Sequence, residues 1–192
     1  PSQSSAASDV YKRQHLTEAS DGARFESRNP ANKDDLLGNF PRSTKDDVHA
    51  ALDAAHAALP GWSSTPAPTR GQIIGNMARL LLDLKDDIVR LETREIGKTL
   101  KESGGEVQEA IDTCLFFQAE GRRLYGQTVH SELPNKELST YRRPLGVCAI
   151  INASNFPAAV PFWKIIPALI CGNTVVWKPP KDAPLLSFAL AR

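Results

Sequence analysis

Apolar positions recur at helical spacing through the first two thirds of the chain and then give way to short alternating and continuous apolar runs. Asn29-Pro30-Ala31-Asn32 is a turn cluster, and Leu36-Leu37-Gly38-Asn39-Phe40-Pro41 reads as a short strand or extended piece closed by a proline. Ser43 or Thr44 can accept a free first-turn amide and cap a helix, and Asp46 and Asp47 suit its positive end. Val48, Ala51, Leu52, Ala55 and Leu59 fall on one side of that helix, and Pro60-Gly61 marks its expected end. Pro68 or Thr69 opens a second helix, with Ile73, Ile74, Met77, Leu80, Leu81 and Leu84 facing a core. A third amphipathic stretch uses Ile88, Leu91, Ile96 and Leu100. A fourth runs through Val107, Ile111, Leu115, Phe116 and Leu124, with Gly104-Gly105 expected to break one helix before the next.

Around Gly126 the period changes. Residues 127–132 and 137–142 alternate on either side of Pro134-Asn135-Lys136, which predicts an antiparallel hairpin. Val147-Cys148-Ala149-Ile150-Ile151 is a continuous apolar run, expected for a strand buried on both faces. Pro157 starts a helix from Ala158 to about Cys171, and Gly172-Asn173 ends it where a left-handed residue is needed. Thr174-Val175-Val176-Trp177-Lys178 is a second buried strand, and Pro184 opens another helix. This order is a βαβα unit, which requires a parallel sheet and a right-handed crossover. The fold class is α/β.

Composition excludes more than it names. Of 192 residues, 41% are hydrophobic and 23% charged, which argues against a disordered, collagen-like or coiled-coil chain. The 23 Lys and Arg against 22 Asp and Glu leave a net charge of +1, too little basic excess for a nucleic-acid partner to be expected. No window approaches the roughly 18 apolar residues of a membrane span, so no membrane partner is expected either. Three Cys without a CxxC pair suggest reduced thiols and a cytoplasmic protein. Residues 1–20 read as a disordered or non-native leader: PSQSSAASDVYKRQ lacks the apolar run of about 7–15 residues that a secretory signal needs. Its Ser and Arg content would suit an organelle transit peptide, against which Asp9 argues.

Ligands of a parallel sheet bind beyond the carboxyl ends of its strands. One such end carries Asn152-Ala153-Ser154-Asn155-Phe156-Pro157, and the next carries Lys178-Pro179-Pro180-Lys181-Asp182. An Asn there can donate an amide to a developing oxyanion, and a Lys can bind ribose hydroxyls or a phosphate. A helix-capping Asn and a solvated Lys would give the same spacing, so spacing alone leaves both readings open. His15, His49, His56 and His130 have no metal-ligand spacing, and no metal is expected. Glu102, Glu106 and Glu109 follow helical spacing as a solvated face, and Trp163 and Trp177 lie in apolar runs as core residues.

The residues themselves go further. Arg143-Pro144-Leu145-Gly146-Val147, Asn155-Phe156-Pro157, Trp163-Lys164-Ile165-Ile166-Pro167-Ala168-Leu169, Gly172-Asn173-Thr174-Val175-Val176 and Lys178-Pro179, in that order, resemble the aldehyde dehydrogenase superfamily. Upstream, Asn29-Pro30, Trp62, Arg70, Glu95-Ile96-Gly97-Lys98 and the hairpin resemble it too. The resemblance implies that residues 21–126 are the N-terminal helical part of a cofactor-binding domain. Residues 127–143 would then be a subunit-association hairpin, and 144–192 the start of a Rossmann-like NAD(P)-binding sheet, incomplete. It implies that the Asn155 amide holds the substrate carbonyl oxygen as it becomes an oxyanion. It also implies that Lys178 binds the adenosine ribose, and that the backbone from Ile151 through Asn152 to Ser154 lines the cofactor cleft. In such enzymes a Cys attacks the aldehyde, hydride passes to the nicotinamide, and a Glu-activated water hydrolyses the thioester.

Two departures carry weight. Where the family usually has Pro-Trp before the Asn, this chain has Ala153-Ser154, and loss of the indole opens the pocket. Where NAD-preferring members usually have a Glu three residues after the ribose Lys, this chain has Lys181. An ammonium cannot accept from ribose hydroxyls but attracts a 2′-phosphate, so NADP should at least be tolerated beside NAD. Cys114, Cys148 and Cys171 do not match the family's nucleophile context, which places the nucleophile and the water-activating Glu beyond Arg192 and makes the chain an inactive N-terminal fragment. A small aldehyde substrate, with semialdehydes a family-level guess, and a homodimer or homotetramer follow from the resemblance. The alternatives are a non-catalytic nucleotide-binding or subunit-association module, or an acyl-CoA-forming member of the same scaffold.

Overall fold

A computed structural model describes residues 18–192. Residues 1–17, most of the expected leader, lie outside the described residues. Glu18 to Ser20 pack against the fold: Ala19 is buried, the Ser20 amide donates to Asp47 Oδ1 at 3.1 Å, and the Ser20 and Thr44 hydroxyls meet at 2.7 Å.

Strands β1 (Arg24–Arg28) and β2 (Leu36–Pro41) come first, followed by helices α1 (Lys45–Ser64), α2 (Ala67–Asp83), α3 (Lys85–Ile96) and α4 (Leu100–Glu120). The hairpin strands β3 (Thr128–His130) and β4 (Glu137–Ser139) follow, and then β5 (Val147–Ile151), α5 (Ala159–Ile170), β6 (Thr174–Lys178) and α6 (Pro184–Ala191). The chain is α/β, as its sequence predicts. Strand β1 goes unseen in the sequence because Arg-Phe-Glu-Ser-Arg carries one apolar side chain. It forms because β2 pairs with it antiparallel, Phe25 opposite Phe40.

Thr44 caps α1 with a reciprocal box: the Asp47 amide donates to Thr44 Oγ1, and the Thr44 amide donates to Asp47 Oδ2 at 2.6 Å. The helix does not stop at Pro60-Gly61 but continues to Ser64. Outside contacts hold its last turn. The Trp62 indole donates to the Leu169 carbonyl at 3.0 Å, and the buried Arg70 guanidinium reaches the carbonyls of Ser63, Thr65 and Ile170.

Helix α2 turns a different face inward from the expected one. Ile74 and Leu81 are buried, but Ile73, Leu80 and Leu84 are exposed, and Gly71, Gly75 and Ala78 fill the stripe instead. A Cβ at Gly71 would run into the backbone carbonyl of Gln118, and one at Gly75 into its side chain. Small residues thus let α2 and α4 pack closely.

Helix α3 ends at left-handed Gly97 (φ 83°), so Leu100 belongs to α4, where it is exposed along with Leu115 and Phe116. Helix α4 passes through Gly104-Gly105 without a break. Its Thr99–Glu102 capping box and the burial of Ser103, Glu106, Val107, Ala110, Ile111 and Cys114 outweigh two weak positions.

The core lies among α2 to α6, where Ile74, Val107, Ile111, Ile166, Ile170 and Leu186 are almost fully enclosed. β5 and β6 pair in parallel, Val147 opposite Thr174 and Ile151 opposite Lys178. β5 is not buried on both faces: Ala149 and Ile151, two residues apart and so on one face, are open. The hairpin pairs Thr128 with Ser139 and His130 with Glu137 as predicted, and every residue of its two strands is exposed. Asn135 turns it in the left-handed region at φ 61°, which Asn tolerates.

Candidate functional site

Both segments that the sequence marks lie at the carboxyl end of the parallel pair. Register puts Ile151 beside Lys178, and both are exposed. Ser154, Asn155 and Lys181 come together with Glu95, Ile96 and the β1 edge around a cleft of about 420 Å³. Asn155 is exposed on its rim, with no hydrogen bond from its amide to the chain. Lys178 stands outside the lining. Asn152 turns away from it: its Oδ1 accepts from the Trp177 indole at 2.7 Å and its Nδ2 donates to the Ala153 carbonyl at 2.9 Å. Its side chain ties the two strand ends together.

Behind the Asn155 loop lies a cluster that the sequence reading missed. Glu106, expected on a solvated face, is 2% exposed. Its Oε1 accepts from the Ala158 and Ala159 amides at 2.7 and 3.1 Å, and its Oε2 meets Lys98 Nζ. Lys98 Nζ also lies 3.5 Å from Glu92 Oε1 and 4.1 Å from the centroid of the Phe156 ring. Glu92 is wholly buried and neither of its oxygens has a hydrogen-bond partner. Burial first, and then neighbouring Glu106, push its carboxyl up to about 8, so it is protonated at neutral pH. Glu95 is buried as well. It accepts from the Leu185 and Leu186 amides at 2.9 and 2.7 Å and from the Ser27 hydroxyl at 3.2 Å, while burial raises its pKa. The signal was present in the spacing. Ile88, Glu92 and Glu95, like Ser103, Glu106 and Ala110, sit on the inward stripe of their helices, where a carboxylate needs a specific partner.

None of the three cysteines lines the cleft. Cys114 is buried, and burial pushes its thiol up to about 12, so it is an inert apolar residue. Trp163, expected in the core, is partly exposed with its ring centroid 6.3 Å from that of Phe156. A larger cavity of about 520 Å³ lies between α1, α5, β6 and α6, with apolar walls that include Trp62, Phe162 and Leu190. Among the described residues no group of three or more His, Cys, Asp or Glu is placed to hold a metal ion. Nor is any helix long and apolar enough to cross a membrane.

Residues 16–192 match the aldehyde dehydrogenase family. The chain belongs to that family. It is 41% identical over 171 residues to the α-ketoglutarate semialdehyde dehydrogenase of Haloferax volcanii, a match covering 89% of this chain and 36% of that protein. It is 39% identical over 189 residues to an Escherichia coli succinate-semialdehyde dehydrogenase whose name specifies NADP(+), covering 96% of this chain and 39% of the relative. Among solved structures, an NADP-dependent enzyme from E. coli superposes with a TM-score of 0.89 at 40% identity, over 92% of this chain and 37% of that one. The chain therefore spans little more than a third of the length of these aldehyde dehydrogenases. Its helices and small sheets match their N-terminal, cofactor-binding region.

Proposed function

We propose that this chain is the nucleotide-facing N-terminal part of an aldehyde dehydrogenase that oxidises a semialdehyde with NADP or NAD. The observation that carries the reading is the shared cleft: the unpaired Asn155 amide and the unpaired Lys181 ammonium line one space at the end of the parallel strands. The names of the relatives, two of them NADP-linked and two of them semialdehyde dehydrogenases, support the same choice of cofactor and substrate.

A nicotinamide nucleotide suits the residues present, since Lys178 and Lys181 offer donors and no acceptor. When bound, it supplies the two-electron acceptor for the oxidation. Lys178 would donate to ribose hydroxyls, Lys181 would pair with a 2′-phosphate, and the backbone of Ile151, Asn152 and Ser154 would face the nucleotide. Asn155 Nδ2 donates to the substrate oxygen as negative charge develops there. No cysteine of this chain lines the cleft, and its Glu95 is taken up by the Leu185 and Leu186 amides. Both support a reading in which the attacking thiolate and the carboxylate that activates water belong to a part of the enzyme outside this sequence and the chain alone is inactive. The exposed hairpin at 127–143 joins subunits of a homodimer or homotetramer, and the enzyme is cytoplasmic.

The test is cofactor choice in the intact enzyme. The wild type is expected to use NADP at least as well as NAD. Lys181→Glu should shift the ratio of kcat/KM values toward NAD by about 10–100-fold, the worth of one charge-assisted contact. A wild type that strongly prefers NAD, or a ratio unmoved by the substitution, overturns the role of Lys181.

A further inference from the structure

We infer that Lys98 is a positioning residue for Asn155, acting through the Phe156 ring and anchored by Glu106; the inference rests on the aldehyde-oxidising reading above. The segment that follows Asn155 is held at two points by one ion pair. At its far end the Ala158 and Ala159 amides donate to Glu106 Oε1, and Glu106 Oε2 holds Lys98. At its near end the same ammonium sits 4.1 Å over the face of Phe156, the residue next to Asn155. Trp163 of α5 lies beside the same ring, centroids 6.3 Å apart, so the exposed Phe156 ring meets both a cation and an indole.

Burying an ion pair gives little net stability compared with packed apolar side chains. What it adds is direction. An ammonium fixed by a carboxylate holds a ring face in one place, whereas a Leu or Met at position 98 would allow the ring to slide. An oxyanion donor works only when held to a fraction of an ångström, so this rigidity falls where it matters. Glu92 fits the same arrangement. It lies 3.5 Å from the ammonium without a hydrogen bond, and in its neutral form it does not compete with the ring or Glu106 for Lys98.

The reading beyond activity is the mobility of the loop. In the intact protein, Lys98→Met should speed hydrogen–deuterium exchange at the Ala158 and Ala159 amides, which donate to Glu106, about tenfold or more and leave β6 unchanged. Unchanged exchange overturns the inference whether or not an aldehyde is oxidised. In turnover, Lys98→Met should lower kcat about 10–100-fold while the Kd for NADP stays within about twofold, and Lys98→Arg should recover most of the loss. Glu106→Gln keeps an acceptor for the α5 amides and should lower kcat in the same direction by less. An unaltered kcat, or a kcat and nucleotide affinity that fall together with Tm, also overturns it. A wild type that oxidises no aldehyde with either nucleotide defeats the enzymatic reading instead, and the exchange result still decides whether Lys98 grips the loop.

Discussion

Two helices of the helical layer and the two helices of the βαβα unit have their starts capped in opposite ways. Helices α1 and α4 carry their own caps, Thr44 with Asp47 and Thr99 with Glu102, each within four residues of chain. Helices α5 and α6 are preceded by Ala158 and Ala183, which have no side chain that could accept a hydrogen bond. Their first-turn amides are satisfied from the helical layer, by Glu106 of α4 and Glu95 of α3. The layer caps α1 and α4 from within, whereas the starts of the sheet unit's helices are finished by the layer. A cap is worth about 1 kcal/mol on an exposed helix and more where the lost partner is buried, so the two parts should not melt separately.

Damage to the layer should therefore be felt everywhere. Gly71→Ala puts a methyl group against the Gln118 carbonyl and forces α2 away from α4, which should cost about 2–3 kcal/mol in urea unfolding. Far-UV circular dichroism and Trp fluorescence should report a single transition at a lower midpoint. Two separated transitions would show that the sheet unit stands without the layer.

A smaller effect comes from the carboxyl at the seam. Folded Glu92 keeps its proton up to about pH 8, whereas the unfolded chain releases it near the ordinary value of 4.5. The folded state binds more protons across that window, so stability falls as pH rises from about 5 to about 8 and levels off above it. Glu92→Gln should remove this slope and match or exceed the wild type by about 1–2 kcal/mol at pH 8. Urea midpoints across the window check it, and a slope that persists in the variant assigns the proton to another group.

The smallest expected change is a gain. Gly105→Ala on α4 meets nothing within 4 Å of its new Cβ and should add about 0.5–1 kcal/mol to the unfolding free energy. With Gly71→Ala it makes a matched pair, the same substitution on two packed helices with opposite signs. A loss at 105 would mean that the glycine serves something other than packing.

Local chemistry was legible in the sequence and remote chemistry was not. Thr44 as a cap, the hairpin, the parallel strands and Gly172 at the end of α5 (φ 90°) all follow from residues a few positions apart. Pro60 inside α1 and Gly104-Gly105 inside α4 ran against local rules, because contacts from distant residues hold those helices. At the candidate site, Ser154, Asn155 and Lys181 could be placed together because strand ends gather by topology. Glu92, Glu95 and Glu106 could not, since an acidic residue on a helix reads as solvated until its partner is known.

The two carboxylates that finish α5 and α6 also decide how this part of the molecule meets an anion. A free helix start attracts phosphate through its exposed amides and the positive end of its dipole. Here every first-turn amide is taken: Ala158, Ala159, Leu185 and Leu186 by glutamates, Val160 and Ser187 by backbone carbonyls, while Pro161 and Pro184 have none to give. Each positive end is neutralised from behind. A phosphate approaching these strand ends is left with the exposed charges of Lys178 and Lys181, so its hold on them should weaken steeply as salt is added.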